Sequence, residues 1–505
     1  MISRLLGALA ALLLCAAGAT AAETPPAPRP GGAVTVAALA NPDGLDPHRS
    51  PADSTFIITM NIFDSLVATN ARGELLPGLA ERWDISRDGL TYTFELRRGV
   101  TFHDGKPLTS ADVKYSLARM AEKGRSPHAA DYAVIARVET PSPTTVAITL
   151  SRPSARFLSD LAYGWAAIVP EGAGDGLARR PIGTGPFRFV EWVPDSHIKL
   201  VKNARYFVPG RPYLDEVLFK VIPDETARVT ALRAGEIDIT ERIPPQMVEE
   251  LRANRSLRVE TYPSNTLSEL AINAARKPFD DLRVRRALFH AIDRAAVLEG
   301  ANFGYGRLIG SFMAPIIGEY YVDLNGRYPH DVAKAKALLA EAGYPNGFET
   351  TLYLPQPYPD YSAAGEIIAS QLTRVGIRAR LETLEWGQWL DRVYKQKDYA
   401  LTTIGHYGRL DPMTLLERFK TGYNANYFGY SNPEFDRLLT EGDGTHDRAK
   451  RRAIVRRLQE LLSEDAACVF LVSRDAIVGF QRDVWGYAEL PIPGNRLTDV
   501  YRASR

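Results

Sequence analysis

Cysteine is almost absent from this chain of 505 residues: it has two, Cys15 and Cys468. Cys15 falls in an apolar run at the N-terminus. Once that run is removed, Cys468 stands alone and no internal disulfide can staple the fold. Cys468 lies in Ala-Cys-Val-Phe-Leu-Val, the pattern of a buried strand, where it serves as a small apolar residue. A charge excess is lacking as well. Lys and Arg number 61 against 60 Asp and Glu, a formal net charge of +1, which gives no field to gather nucleic acid or an anionic membrane. No basic arm with interleaved aromatics occurs, so nucleic acid is excluded as a partner. H-E-x-x-H, G-x-S-x-G, the P-loop and C-x-x-C are all missing. The eight histidines (48, 103, 128, 197, 290, 330, 406 and 446) do not pair at ligand spacing on one helix. The expectation is therefore no resident metal, no cofactor and no catalytic residue.

The N-terminus carries a secretion signature. Arg4 supplies a positive start, residues 5–17 are apolar, and Ala19-Thr20-Ala21 is a small-x-small cleavage site. The apolar run is shorter than the ~20 residues a membrane span needs. Leu14 precedes Cys15 where a lipid-attachment signal wants Gly or Ala. Residues 1–22 are thus expected to be a cleaved signal peptide, leaving a free, non-lipidated protein in the periplasm of a Gram-negative bacterium. The Pro-rich stretch 23–32 reads as a flexible leader.

The rest alternates between strand and helix signals, an α/β composition too long for a single core. Val217, Phe219 and Val221 alternate as in a strand. Asp224 then caps a helix that Gly235 stops, and Ile237 and Ile239 alternate again. Beyond Pro278 helices dominate, with caps at Asp331 and Asn432-Pro433 and stops at Gly343 and Gly376. One set of motifs imitates serine acyl-enzymes: Ser196-x-x-Lys199, Tyr344-x-Asn346 and Lys420-Thr421-Gly422. Its context is wrong. Ser196 follows Pro194-Asp195 and enters an alternating strand instead of opening a buried helix.

Several stretches together resemble the extracellular solute-binding proteins of family 5, which serve peptide, dipeptide, nickel and opine importers. They are Ile62-Phe63-Asp64-Ser65-Leu66-Val67, Leu79-Ala80-Glu81-Arg82-Trp83, Gly99-Val100-Thr101-Phe102-His103-Asp104-Gly105, Thr109-Ser110-Ala111-Asp112-Val113, Gly183-Thr184-Gly185-Pro186-Phe187 and Gly235-Glu236-Ile237-Asp238. Further matches lie at 283–294, 340–345 and 430–434. Most of these residues are scaffold by type, and His103-Asp104-Gly105 reads as a turn rather than a metal or catalytic site. The resemblance implies a two-lobed periplasmic-binding-protein fold of the class II, cluster C type, with three domains and a ligand cleft between the lobes. Residues 33–70, 180–274 and 471–505 would form domain I, 71–179 domain II, and 275–470 domain III, the second lobe. It also implies a monomer that captures a small peptide or a peptide-like, anionic solute and passes it to the permease and ATPase subunits of an ABC importer. A sensor or chaperone on the same scaffold is the alternative that involves no importer.

In peptide-binding members an acidic residue four places before a Pro holds the ligand's amino group. Here the Pro is Pro412 and the position is Gly408, which removes the charge and opens space. Arg409 beside it offers a guanidinium to a carboxylate. Its alternative role is an ion pair with Asp411, and in a further alternative Asp411 takes an amine itself. The resemblance also places His406, Tyr407, Trp386, Asn41 and Leu45 at the cleft.

Overall fold

A computed structural model describes residues 24–356 and 358–503. The signal-peptide expectation for 1–22 lies outside the described residues.

The alternation of Val217, Phe219 and Val221 produces the strand Glu216–Val221, which pairs in parallel with Ala33–Ala38 and antiparallel with His197–Lys202. The Asp224 side chain accepts from the Ala227 N–H at 2.7 Å to open the helix Glu225–Ala234. Gly235, at φ 73°, closes it in the left-handed conformation. The chain then re-enters the sheet at Ile239–Thr240, parallel to the first strand. The carboxyl ends of these three parallel strands share one edge.

A second parallel set forms in the later half. Glu349–Pro355 is flanked by Arg378–Leu384 and by Leu401–Tyr407, both parallel to it. Two long strands join the two sets. Leu257–Ile272 and Cys468–Gln481 run antiparallel from Leu257 opposite Gln481 to Ala271 opposite Cys468, and their register slips between Pro263 and Thr266. The result is one 11-stranded sheet that passes through both lobes. A separate four-stranded antiparallel sheet runs in the order Ala80–Ile85, Thr91–Leu96, Thr145–Leu150, Ile135–Ser142. The helix Ser110–Met120 lies in the chain between Thr91–Leu96 and Ile135–Ser142, opened by a reciprocal cap between Thr109 and Asp112.

Each part has its own core. Tyr92, Phe94, Val146, Ile148 and Phe157 fill the four-stranded domain. Val34, Phe187, Val217, Phe219 and Phe480 fill the first lobe beside it. Leu270, Phe279, Leu288, Ile368, Leu401 and Phe470 belong to the second lobe. Each such side chain contributes roughly 1.5–3 kcal/mol on full burial. Cys468 is a free, buried thiol in this last core. The His103-Asp104-Gly105 stretch is a turn, with Gly105 at φ 94°. His103 Nε2 lies 3.1 Å from the Gly185 carbonyl and its Nδ1 accepts from the Gly183 N–H at 3.3 Å. Burial pulls its pKa down to about 4, so it is a neutral clamp on the 183–185 loop. Among the described residues no helix is long and apolar enough to cross a membrane.

Candidate functional site

In open parallel sheets the loops beyond the strands' carboxyl ends build ligand crevices. Here two such edges face each other. The first lobe contributes Asn41 and its loop, together with Glu241 and Arg242. The second contributes Tyr358, Trp386 and residues 408–411, which follow Pro355, Leu384 and Tyr407. The lobes are in contact. The Tyr407 hydroxyl donates to the Ile492 carbonyl at 3.3 Å, and the Leu410 side chain enters the core of the four-stranded domain. At the rim, Asp443 accepts from Arg152 at 2.6 Å and from Ser154 Oγ at 3.2 Å, while Arg156 meets Glu417 at 2.9 Å.

Arg409 is half-buried between the lobes. Its guanidinium lies 5.9 Å from the Tyr163 ring centre and 5.7 Å from that of Trp165. Among the described residues it forms no ion pair and no side-chain hydrogen bond. Asp411 is not its partner. Both Asp411 oxygens accept from Arg451, at 2.8 and 2.6 Å, and Oδ1 also caps the Met413 N–H at 2.9 Å. With 3% exposure for Asp411 and 8% for Arg451, this is a buried structural pair. The space expected at Gly408 is filled: a Cβ there would sit 1.9 Å from Asn265 Oδ1.

His406 uses both ring nitrogens inside the protein. Arg418 Nη1 lies 3.0 Å from Nδ1, Glu269 Oε1 lies 3.0 Å from Nε2, and the Tyr427 hydroxyl is 2.8 Å from Nε2. Burial, reinforced by the Arg418 charge, lowers its pKa and keeps the ring neutral. Tyr407 is held as the neutral phenol by burial. Trp386 stacks on Trp389 at 5.1 Å, with the Tyr358 ring edge-on at 5.2 Å. Asn41 binds Asp195 through side-chain and backbone contacts of 2.5 and 3.0 Å, pinning the loop. Leu45 is a correction. It is 0% exposed and packs in the first-lobe core, because an apolar side chain flanked by buried Asp46 and Pro47 gains more from that core than from a wet cleft.

Sequence reasoning missed three carboxyl groups, Glu269, Glu241 and Glu489. Glu269 in Leu-Ser-Glu-Leu-Ala-Ile was detectable as a charge inside an otherwise apolar strand. Glu241 and Glu489 both contact the Tyr487 hydroxyl, at 3.0 and 2.7 Å, and both accept from Asn495 Nδ2, at 2.9 and 3.1 Å. One hydroxyl has one proton to give, so one of these carboxyls must itself carry a proton. Burial and the Glu241 charge accordingly raise the Glu489 pKa to about 8. Among the described residues no three His, Cys, Asp or Glu side chains are grouped to hold a metal ion.

The sequence and the overall fold match known proteins. The family model for bacterial extracellular solute-binding proteins, family 5 Middle, matches residues 74–427. The chain is 29% identical over 486 residues to the glutathione-binding protein GsiB of Escherichia coli K12, covering 92% of this chain and 94% of GsiB. It superposes with a TM-score of 0.79 on the periplasmic binding protein DppA of Helicobacter pylori in complex with the peptide STSA, at 29% identity, covering 94% of this chain and 99% of DppA. For AgaA of A. tumefaciens R10 in complex with agropinic acid the TM-score is 0.77 at 29% identity, covering 94% and 99%.

Proposed function

Because the chain belongs to the bacterial extracellular solute-binding proteins, family 5, we propose that it is the substrate-binding component of an ABC importer and captures a small peptide or peptide-like solute by closing its two lobes. The observation that carries this reading is the pair of facing carboxyl edges, joined through the sheet by two long strands whose register slips between Pro263 and Thr266. Such a connection hinges, while each lobe moves as a unit on its own core. The solute contacts both lobes and so favours the closed state, which a membrane permease with its ATPase subunits can read. Ordered water in the closed cleft would fit one pocket to several side chains.

The half-buried, unpaired Arg409 supports a solute with a carboxylate or another anionic group, and Trp386 and Tyr407, on the same edge of the second lobe, would supply apolar and phenolic walls. GsiB is named for glutathione and AgaA was solved with agropinic acid, so an acidic peptide-like solute fits the relatives as well. We place the protein in the periplasm of a Gram-negative bacterium, as a monomer. The acyl-enzyme alternative has little to support it. Ser196 lies on an exposed turn with its hydroxyl on His197 Nδ1 at 2.8 Å, and Lys199 is engaged by Glu216 at 2.8 Å. Calorimetric titration with glutathione and with free-acid tri- and tetrapeptides tests the reading, followed by mass measurement of the recovered solute. At least one should bind and return unchanged. Failure of all to bind, or recovery of a converted product that Ser196→Ala abolishes, contradicts it.

A further inference from the structure

The strand Leu401–Tyr407 runs into a loop that ends at Asp411, and the helix Pro412–Leu416 with the turn Glu417–Phe419 brings the chain back. This return lays Arg418 over His406, with Nη1 at 3.0 Å from Nδ1. Nδ1 therefore accepts, the ring proton sits on Nε2, and Nε2 faces Glu269 Oε1 at 3.0 Å. Glu269 is 1% exposed, and its second oxygen has no partner. Its charge fixes the imidazole, and the imidazole fixes the guanidinium.

Arg418 spends only one of its N–H groups this way. It forms no ion pair among the described residues, and neither does Arg409. The two guanidiniums flank the short helix Pro412–Leu416, both half-buried and neither in an ion pair among the described residues, so a negative group placed between them would be stabilised by both. Burial, and then the neighbouring Arg409 charge, pull the Arg418 pKa down against the opposing pull of Tyr427, Tyr394 and Glu269. We propose that Arg418 and Arg409 together form a two-guanidinium subsite that takes a carboxylate of the solute, and that His406 and Glu269 are positioning residues for Arg418. The proposal rests on the solute-binding reading above and adds a residue and a chemical class to it. A carboxylate presents two oxygens, one for each fork, which suits a planar bidentate donor better than an ammonium. It can come from the C-terminus of a peptide or from an acidic side chain.

Four tripeptides separate these sources: Ala-Glu-Ala and Ala-Gln-Ala, each as the free acid and as the C-terminal amide. The parent protein should lose at least about ten-fold in affinity on amidation if the subsite holds the terminus, or on the Glu-to-Gln exchange if it holds the side chain. In Arg418→Gln and in Arg409→Gln that preference should collapse to less than about three-fold. The preference is a ratio measured on one sample, so a partly folded variant does not distort it. His406→Ala should reduce the same ratio, whereas a merely structural role would weaken acids and amides equally. A parent that binds all four alike, or an Arg418→Gln protein that keeps the preference, overturns the subsite and leaves peptide binding standing. No binding of any of the four overturns the subsite, and failure of glutathione and the longer peptides as well overturns the solute-binding reading with it.

Discussion

The Leu410 N–H of the second lobe donates to the Tyr163 hydroxyl of the first at 2.9 Å, so the loop that carries Arg409 is fastened across the cleft. Tyr163→Phe removes the acceptor and keeps the ring that faces Arg409. The closed state should lose about 1 kcal/mol, and apparent solute affinity should fall roughly five-fold. Calorimetry reads the affinity. Urea unfolding should change little, since the ring stays packed.

The rim contacts act on closure without touching the cleft. Asp443→Ala deletes the Arg152 bond of 2.6 Å and the Ser154 bond of 3.2 Å. Stopped-flow measurements should show solute release about ten-fold faster with entry nearly unchanged, because mutations in one interface act mainly on off-rates. Small-angle scattering of the solute-free variant should give a larger radius of gyration than the parent.

Asp411 and Arg409 are neighbours in the chain with different jobs, and stability separates them. Asp411→Ala leaves Arg451 buried and unpaired, which should cost about 3–5 kcal/mol in urea unfolding. Arg409→Ala removes a half-buried cation with no ion pair, so its stability change should stay within about 1 kcal/mol while binding suffers. An Asp411→Ala protein of parental stability would show that the buried pair is not formed in solution.

Stability should also record the proton held at Glu489. The carboxyl keeps its proton up to about pH 8 in the folded protein, against an ordinary value of 4.5 in the unfolded chain. Between these values the folded state binds more protons. Its stability therefore falls as pH rises through that window and levels off above it. Glu489→Gln keeps the hydrogen bonds and abolishes the titration, so its melting temperature should be flatter across the window and higher than the parent's near pH 8. Thermal melts at several pH values check both.

Local signals in the sequence were legible where the physics is local. Asp224 and Gly235 mark the ends of a helix because capping and left-handed backbone involve residues a few places apart. The same holds for Asp331, and for Asn432 with Pro433. The cleft was legible only in part. Arg409 stands out as a charge beside a glycine, but Arg418 reaches the same place only because a short helix folds back on His406. Glu269 meets His406 across two strands distant in sequence, and Asp411 finds Arg451 on another helix. No spacing rule encodes such pairs. Gly408 misled for a related reason: the atom that fills its space belongs to Asn265, on the neighbouring strand.

The most direct test is to purify the protein from its native periplasm, denature it, and identify the released small molecule by mass spectrometry. One or a few intact peptides or peptide-like solutes that carry a free carboxylate are expected, absent from the Arg409→Ala protein purified in parallel. A solute without any anionic group, retained equally by both proteins, would contradict it.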